Sequence, residues 1–150
     1  MRIVDLLLQQ KIPEAQSITT GQHVAAAAEL MLAASTSALA VLQDDRLVGI
    51  FTSWDLIRCH TAFPSRKFDE IPVTHAMSTK PIVAAPDDSV AANIEIMLKA
   101  RIGHLPVLQG SRVAHIVTLS EMVGPYLSEL TAELRDLHGY LDDLQEARED

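Results

Sequence analysis

The chain matches itself. Displaced by 66 residues, it sets Val24 on Val90, Met31 on Met97, Leu39 on Leu105, Val41 on Val107, Arg46 on Arg112, Ile50 on Ile116 and Thr52 on Thr118 without a gap. Fourteen of the thirty-four positions in 24–57 are identical in this comparison. That is too many for coincidence, so two copies of one supersecondary unit make up the chain.

Both copies carry the same local signals. In the second, residues 82–84 read as a short apolar strand, and Pro86, Asp87, Asp88 and Ser89 supply turn and N-cap chemistry. A helix with apolar positions Val90, Ile94, Met97 and Leu98 follows and is expected to close at Gly103. Residues 105–108 and 112–117 read as strands around a turn at 109–111, and Thr118 opens another helix. The first copy repeats this with a strand at 18–20, a helix over 24–34, strands at 39–42 and 47–51, an Asp44-Asp45 turn and a helix from Thr52. The unit is therefore β-α-β-β-α. One copy cannot cover both faces of its own small sheet, so an α+β fold is expected, two repeats packed sheet to sheet with helices outside. The expected division is a first repeat over 1–62, a linker over 63–73, a second repeat over 74–124 and a helical extension over 125–150.

Composition narrows the function classes. With 150 residues, 48% of them hydrophobic and 21% charged, the chain has the make-up of an ordered domain. Its longest apolar runs, 24–28 and 30–34, fall far short of the roughly 20 residues of a spanning helix. Asp5 interrupts the short apolar N-terminal stretch, which argues against a secretory signal and for a cytoplasmic protein. The single Cys59 permits no internal disulfide and no cysteine metal framework. The net charge of −8 is concentrated at the end: 127–150 holds eight acids against Arg135 and Arg148. An acidic chain with no basic stripe is a poor nucleic-acid binder. One mononucleotide needs only a basic group or two and the amides of a helix N-terminus.

Three segments carry a resemblance. Val48-Gly49-Ile50-Phe51-Thr52-Ser53-Trp54-Asp55-Leu56 joins an apolar-Gly-apolar strand to Thr-x-x-Asp, His75-Ala76-Met77-Ser78-Thr79-Lys80-Pro81-Ile82 has a Met-Ser…Pro pattern, and Gly103-His104-Leu105-Pro106-Val107 ends in Leu-Pro-Val. In this order and with the duplication, residues 1–123 resemble a tandem CBS (cystathionine β-synthase type) domain pair. The resemblance implies a non-catalytic regulatory and signal-transduction module, assembled as a homodimer, whose inter-repeat cleft holds an adenosine-containing ligand such as AMP, ADP, ATP or S-adenosylmethionine. Matched residue by residue, it implies that Asp55 accepts the ribose hydroxyls, that Thr52 and its helix N-terminus face phosphate, and that Ile82 and the Leu-Pro-Val strand pack on adenine. No cofactor is implied. The alternative is a structural dimerisation or interaction module whose nucleotide site is vestigial.

The same residues have plainer readings. Thr52-x-x-Asp55 and Thr118-x-x-Glu121 are capping boxes, a role compatible with ligand contact. The second copy carries His115 for Gly49 and Glu121 for Asp55, so Thr118 and Glu121 belong either to a second site, with His115 crowding the base, or to a structural half. His104, opposite Ala38 in the other copy, is a phosphate candidate or an ordinary structural histidine, and Lys80, Lys99 and Arg101 are auxiliary cations or surface charges. Cys59 and His60 are neighbours on a helix and face apart, which excludes a nucleophile-base pair there. The histidines at 23, 60, 75, 104, 115 and 138 lack metal-ligand spacing, so no metal site is expected. Trp54 is expected at a packing or dimer contact, with stacking on a ligand as the alternative.

Beyond Gly124-Pro125, expected to separate it from the second repeat, Leu127, Leu130, Leu134, Leu137, Leu141 and Leu144 alternate spacings of three and four. That is a heptad seam of under three full heptads, either folded on its own domain or pairing with another protomer or protein partner.

Overall fold

The computed structural model describes residues 1–149; Asp150, the last residue of the expected 125–150 segment, lies outside the described residues. The order is α1 (Ile3–Gln9), β1 (Ser17–Thr19), α2 (Val24–Ala33), β2 (Ala38–Gln43), β3 (Arg46–Thr52), α3 (Ser53–Ala62), a 3-10 turn (Phe68–Glu70), α4 (Val73–Ala76), β4 (Ser78–Thr79), α5 (Val90–Ala100), β5 (His104–Gln109), β6 (Arg112–Thr118) and α6 (Leu119–Glu149). The fold is α+β, with the β-α-β-β-α order in the first repeat.

One sheet runs β1-β2-β3-β4, with β1 parallel to β2 and the other pairs antiparallel; the second consists of antiparallel β5 and β6. The hairpin β2-β3 closes through Asp44 and Asp45, both at positive φ, the geometry a two-residue turn demands. Both hairpins slip register by one residue, between Val41 and Leu42 and between Val107 and Leu108, so the irregularity is duplicated with the sequence. Leu39, Val41 and Phe51 enter the first core and Leu105, Val107 and Val117 the second. The intervening Ala38, Ala40, Ile50 and Ala114 are also buried and belong to neither core. Alternation along the strands puts them on the opposite sheet faces, where the three alanines let the two sheets meet.

Several expectations are corrected. Residues 82–84 form no strand: only Ala84 bridges to Val107, its amide on the Pro106 carbonyl at 2.9 Å, and Pro81 and Pro86 remove donors on either side. Helix α5 closes at Arg101, not Gly103. Arg101 sits at φ +55 and the Ile102 amide returns to the Met97 carbonyl at 3.1 Å; Ser35 and Thr36 close α2 in the same way. Gly124 and Pro125 do not break the chain. They lie inside the 31-residue α6, where Pro125 costs the bond to the Glu121 carbonyl.

The expected linker 63–73 is partly core. Ile71 and Val73 are fully buried with Val24, Leu39 and Phe51, and the Val24 amide bonds to the Ile71 carbonyl at 2.9 Å. The equivalent position in the second core is taken from the other end of the chain. α1, which the sequence signals do not announce, buries Ile3 and Leu6 against Val90, Met97 and Leu105, and the Val90 amide bonds to the Met1 carbonyl at 3.0 Å. Each of these side chains contributes about 1.5–3 kcal/mol of burial. The chain therefore laces the repeats together: the segment preceding each repeat completes the core of the other.

Candidate functional site

Two clefts flank the seam between the sheets, related by the same 66-residue displacement as the sequence. The larger, about 680 Å³, is lined by Ile50, Thr52, Asp55 and Arg58, by Ser78, Lys80, Pro81 and Ile82, and by residues 100–104. The smaller, about 220 Å³, is lined by Ile116, Thr118 and Glu121, by residues 12–16, by residues 34–38 and by His104. Subtracting 66 from Ser78, Lys80 and Ile82 gives Ile12, Glu14 and Gln16, and from Arg101 and His104 gives Ser35 and Ala38. Four of the expected site residues, Thr52, Asp55, Ile82 and His104, thus come together in the larger cleft, while Thr118 and Glu121 fall in the smaller one.

The clefts differ in charge. Lys80, Arg101 and Arg58 stand around the larger, with no Lys or Arg and two acids, Glu14 and Glu121, in the smaller. Lys99 lies outside both, paired with Glu95 at 2.9 Å. Glu14 is 3.5 Å from Arg112.

Asp55 is the buried carboxylate of the larger cleft, only 2% exposed. Its Oδ2 accepts the Thr52 amide at 2.8 Å and the Thr52 hydroxyl at 3.3 Å, and its Oδ1 accepts from Arg58 Nη2. Arg58, one helical turn beyond Asp55 on α3, was not singled out from the sequence, although i,i+3 spacing is the signal that finds such partners. In the other repeat Thr118 and Glu121 close a reciprocal capping box, the Thr118 amide on Oε2 at 2.8 Å and the Glu121 amide on the hydroxyl at 3.2 Å.

His104, at the start of β5, lines both clefts. Its Nε2 lies 2.7 Å from Ser37 Oγ of the first repeat. Burial pushes the imidazole below its ordinary value, with Glu121 and Asp55 pulling the other way.

The glycine of the Val48-Gly49-Ile50 strand has a steric reason. A Cβ on Gly49 would stand 2.5 Å from Met77 Sδ and 2.8 Å from the Ser78 carbonyl, because β4 pairs with β3 at this residue. At the equivalent place His115 does not crowd the smaller cleft; its Nδ1 lies 2.8 Å from the Pro13 carbonyl, on the matching segment. Trp54, expected at a packing or dimer contact, is 66% exposed within the single chain and lines the larger cleft. Cys59 is buried, and burial pushes its thiol up. Among the described residues no cluster of three potential metal ligands occurs and no helix is long and apolar enough to cross a membrane.

Comparison with known proteins agrees with this duplicated architecture. The chain is 32% identical over 120 residues to YlbB of Bacillus subtilis (strain 168), covering 79% of this chain and 78% of YlbB. A CBS-domain protein from Agrobacterium tumefaciens superposes with a TM-score of 0.76 at 24% identity, over 84% of this chain and 99% of that one. The domain pair of protein MJ0100, solved with 5′-methylthioadenosine and S-adenosylmethionine, gives 0.71 at 21% identity over 86% and 98% of the two chains. CBSX2, solved with AMP, gives 0.66 at 18% over 85% and 96%. The CBS domain family model matches twice, at residues 11–61 and 70–125, so the chain belongs to the CBS domain family as a tandem pair.

Proposed function

We propose that this chain is a regulatory module that binds a phosphorylated adenosine ligand in the larger cleft. The observation that carries this is the charge difference between two clefts of common descent. Lys80, Arg101 and Arg58 surround a buried carboxylate in one, where the other presents Glu14 and Glu121. The adenosine compounds held by the MJ0100 pair and by CBSX2 support the ligand class. Asp55 takes the ribose, Ile82 and Ile50 offer apolar surface to the base, and the cations with His104 and the N-terminus of α3 face the phosphate. AMP, ADP and ATP fit that field better than S-adenosylmethionine, which carries a sulfonium. Thr118 and Glu121 serve the fold rather than a nucleotide, since an acidic cleft repels phosphate.

The C-terminal helix is the output in this reading. Residues 130–149 are all exposed, the seam from Leu130 to Leu144 included, whereas Met122 is buried on the second core. With Leu127 at heptad position a, six of the seven acids in 129–149 fall at b, c or f, and the flanking e and g positions hold Thr131, His138, Gln145, Glu133, Tyr140 and Ala147. An acidic chain that keeps its flanks nearly neutral suits pairing with a second copy of itself, and a parallel pair sets Glu133 beside His138 of the other helix. Nucleotide binding then alters the geometry between two copies.

Calorimetric titration with AMP, ADP, ATP and S-adenosylmethionine in parallel tests the ligand class. Binding of a nucleotide, with loss on Lys80→Glu, supports it; no binding by any of the four leaves the interaction-module reading, which the already paired Asp55 favours.

A further inference from the structure

We infer that Arg58 makes the larger cleft select nucleotides over nucleosides, by exchanging its Asp55 partner for the phosphate of the ligand. This rests on the proposal that the cleft binds an adenine nucleotide.

A carboxylate offers about four lone-pair positions. On Asp55 three are in use: two on Oδ2 by the Thr52 amide and hydroxyl, one on Oδ1 by Arg58. A ribose diol donates twice and finds one vacancy. The side chain is 3% exposed, so a diol must also displace whatever covers it. The Thr52 amide is held by the backbone at the start of α3, and its hydroxyl sits on a short side chain beside it. Arg58 is the donor that can yield, being a long side chain, 53% exposed, on the wall of the same cleft.

Once released, the guanidinium remains in the cleft with Lys80, Arg101 and His104. Its planar fork matches two phosphate oxygens as well as it matches a carboxylate. A nucleoside therefore breaks the ion pair of a buried carboxylate and returns nothing to Arg58, whereas a nucleotide replaces that pair with another. The exchange couples ribose recognition to phosphate recognition through one side chain. The other repeat has no counterpart, because the position equivalent to Arg58 is Gly124.

The test is calorimetric titration of the full chain and of Arg58→Met with AMP and with adenosine. Exchange predicts opposite effects: the AMP dissociation constant rises about tenfold, while that of adenosine falls severalfold, so the preference for AMP collapses. Equal weakening of both ligands overturns the exchange, as does weakened AMP with adenosine unchanged, the result of a simple phosphate contact. Absence of AMP binding to the unaltered chain overturns the reading of the cleft and the exchange with it. A second measurement needs no variant: adenosine is titrated into the unaltered chain with and without inorganic phosphate. Phosphate that draws Arg58 away tightens adenosine binding, and an unchanged or weaker affinity overturns the inference.

Discussion

Ser37 Oγ and His104 Nε2 stand 2.7 Å apart, joining the residue that precedes β2 in one repeat to the first residue of β5 in the other. The 66-residue relation pairs Ser37 with Gly103 and Ala38 with His104, so the contact has no mirror image. It closes the wall between the two clefts with a side chain that belongs to both, and it makes the duplicated molecule asymmetric at the point where its halves meet.

Proton linkage follows from that position. Burial lowers the His104 pKa from its ordinary value of 6.5. The folded state thus binds fewer protons than the unfolded one, and the associated stability is present above pH 6.5 and lost as pH falls below it. Melting temperatures at pH 7.5 and 5.5 should show a larger acid loss for the unaltered chain than for His104→Gln.

Nucleotide binding should reverse the preference of this imidazole, because a phosphate beside it favours the protonated form. Titration of AMP at pH 7 in buffers of different ionisation heat should report proton uptake, and His104→Gln should remove it.

Gly49→Ala tests the close pairing of β4 with β3. The added methyl meets Met77 Sδ at 2.5 Å and the Ser78 carbonyl at 2.8 Å, a backbone atom that cannot swing aside. A loss of about 1–3 kcal/mol in chemical denaturation is expected. No comparable loss is expected for Gly139→Ala, whose methyl meets nothing within 4 Å on the exposed helix; there a gain of about 0.5–1 kcal/mol in helix stability is the expected result.

The leucine seam predicts concentration-dependent association. Leu134→Asp with Leu141→Asp should shift sedimentation toward the monomer and leave the unfolding of the two cores unchanged, since both side chains are exposed within one chain. A dimer that survives the pair of substitutions assigns the interface to another surface.

Asp55→Asn should weaken AMP binding by at least tenfold, since a neutral amide replaces the charged acceptor for the ribose. It also loosens the start of α3 by about 1 kcal/mol through the Thr52 amide, so affinity and melting temperature must be read together.

The repeat, the β-α-β-β-α order of its first copy and the family were legible in the sequence because a duplication writes the same periodicities and turn residues twice. Asp44-Asp45 announces a hairpin by its own chemistry, and Thr118-x-x-Glu121 announces a cap. These signals act over a few residues, and nothing distant overrides them. The end of α5 was misplaced by two residues because Arg101 takes the left-handed geometry for which Gly103 looked the better candidate, and Gly124-Pro125 was read as a break because local propensity does not count the packing of Met122 and Tyr126 that carries α6 through it.

Sequence alone determined which residues form the two copies and which of them are candidates for a ligand site. Tertiary structure alone decided that Ile3 and Leu6 complete the second core while Ile71 and Val73 complete the first, and that Lys80 and Glu14 occupy equivalent walls of opposite charge. The reason is physical. Periodicity marks which face of an element is apolar but not which distant face covers it, so segments tens of residues apart meet only because the two sheets bring them together.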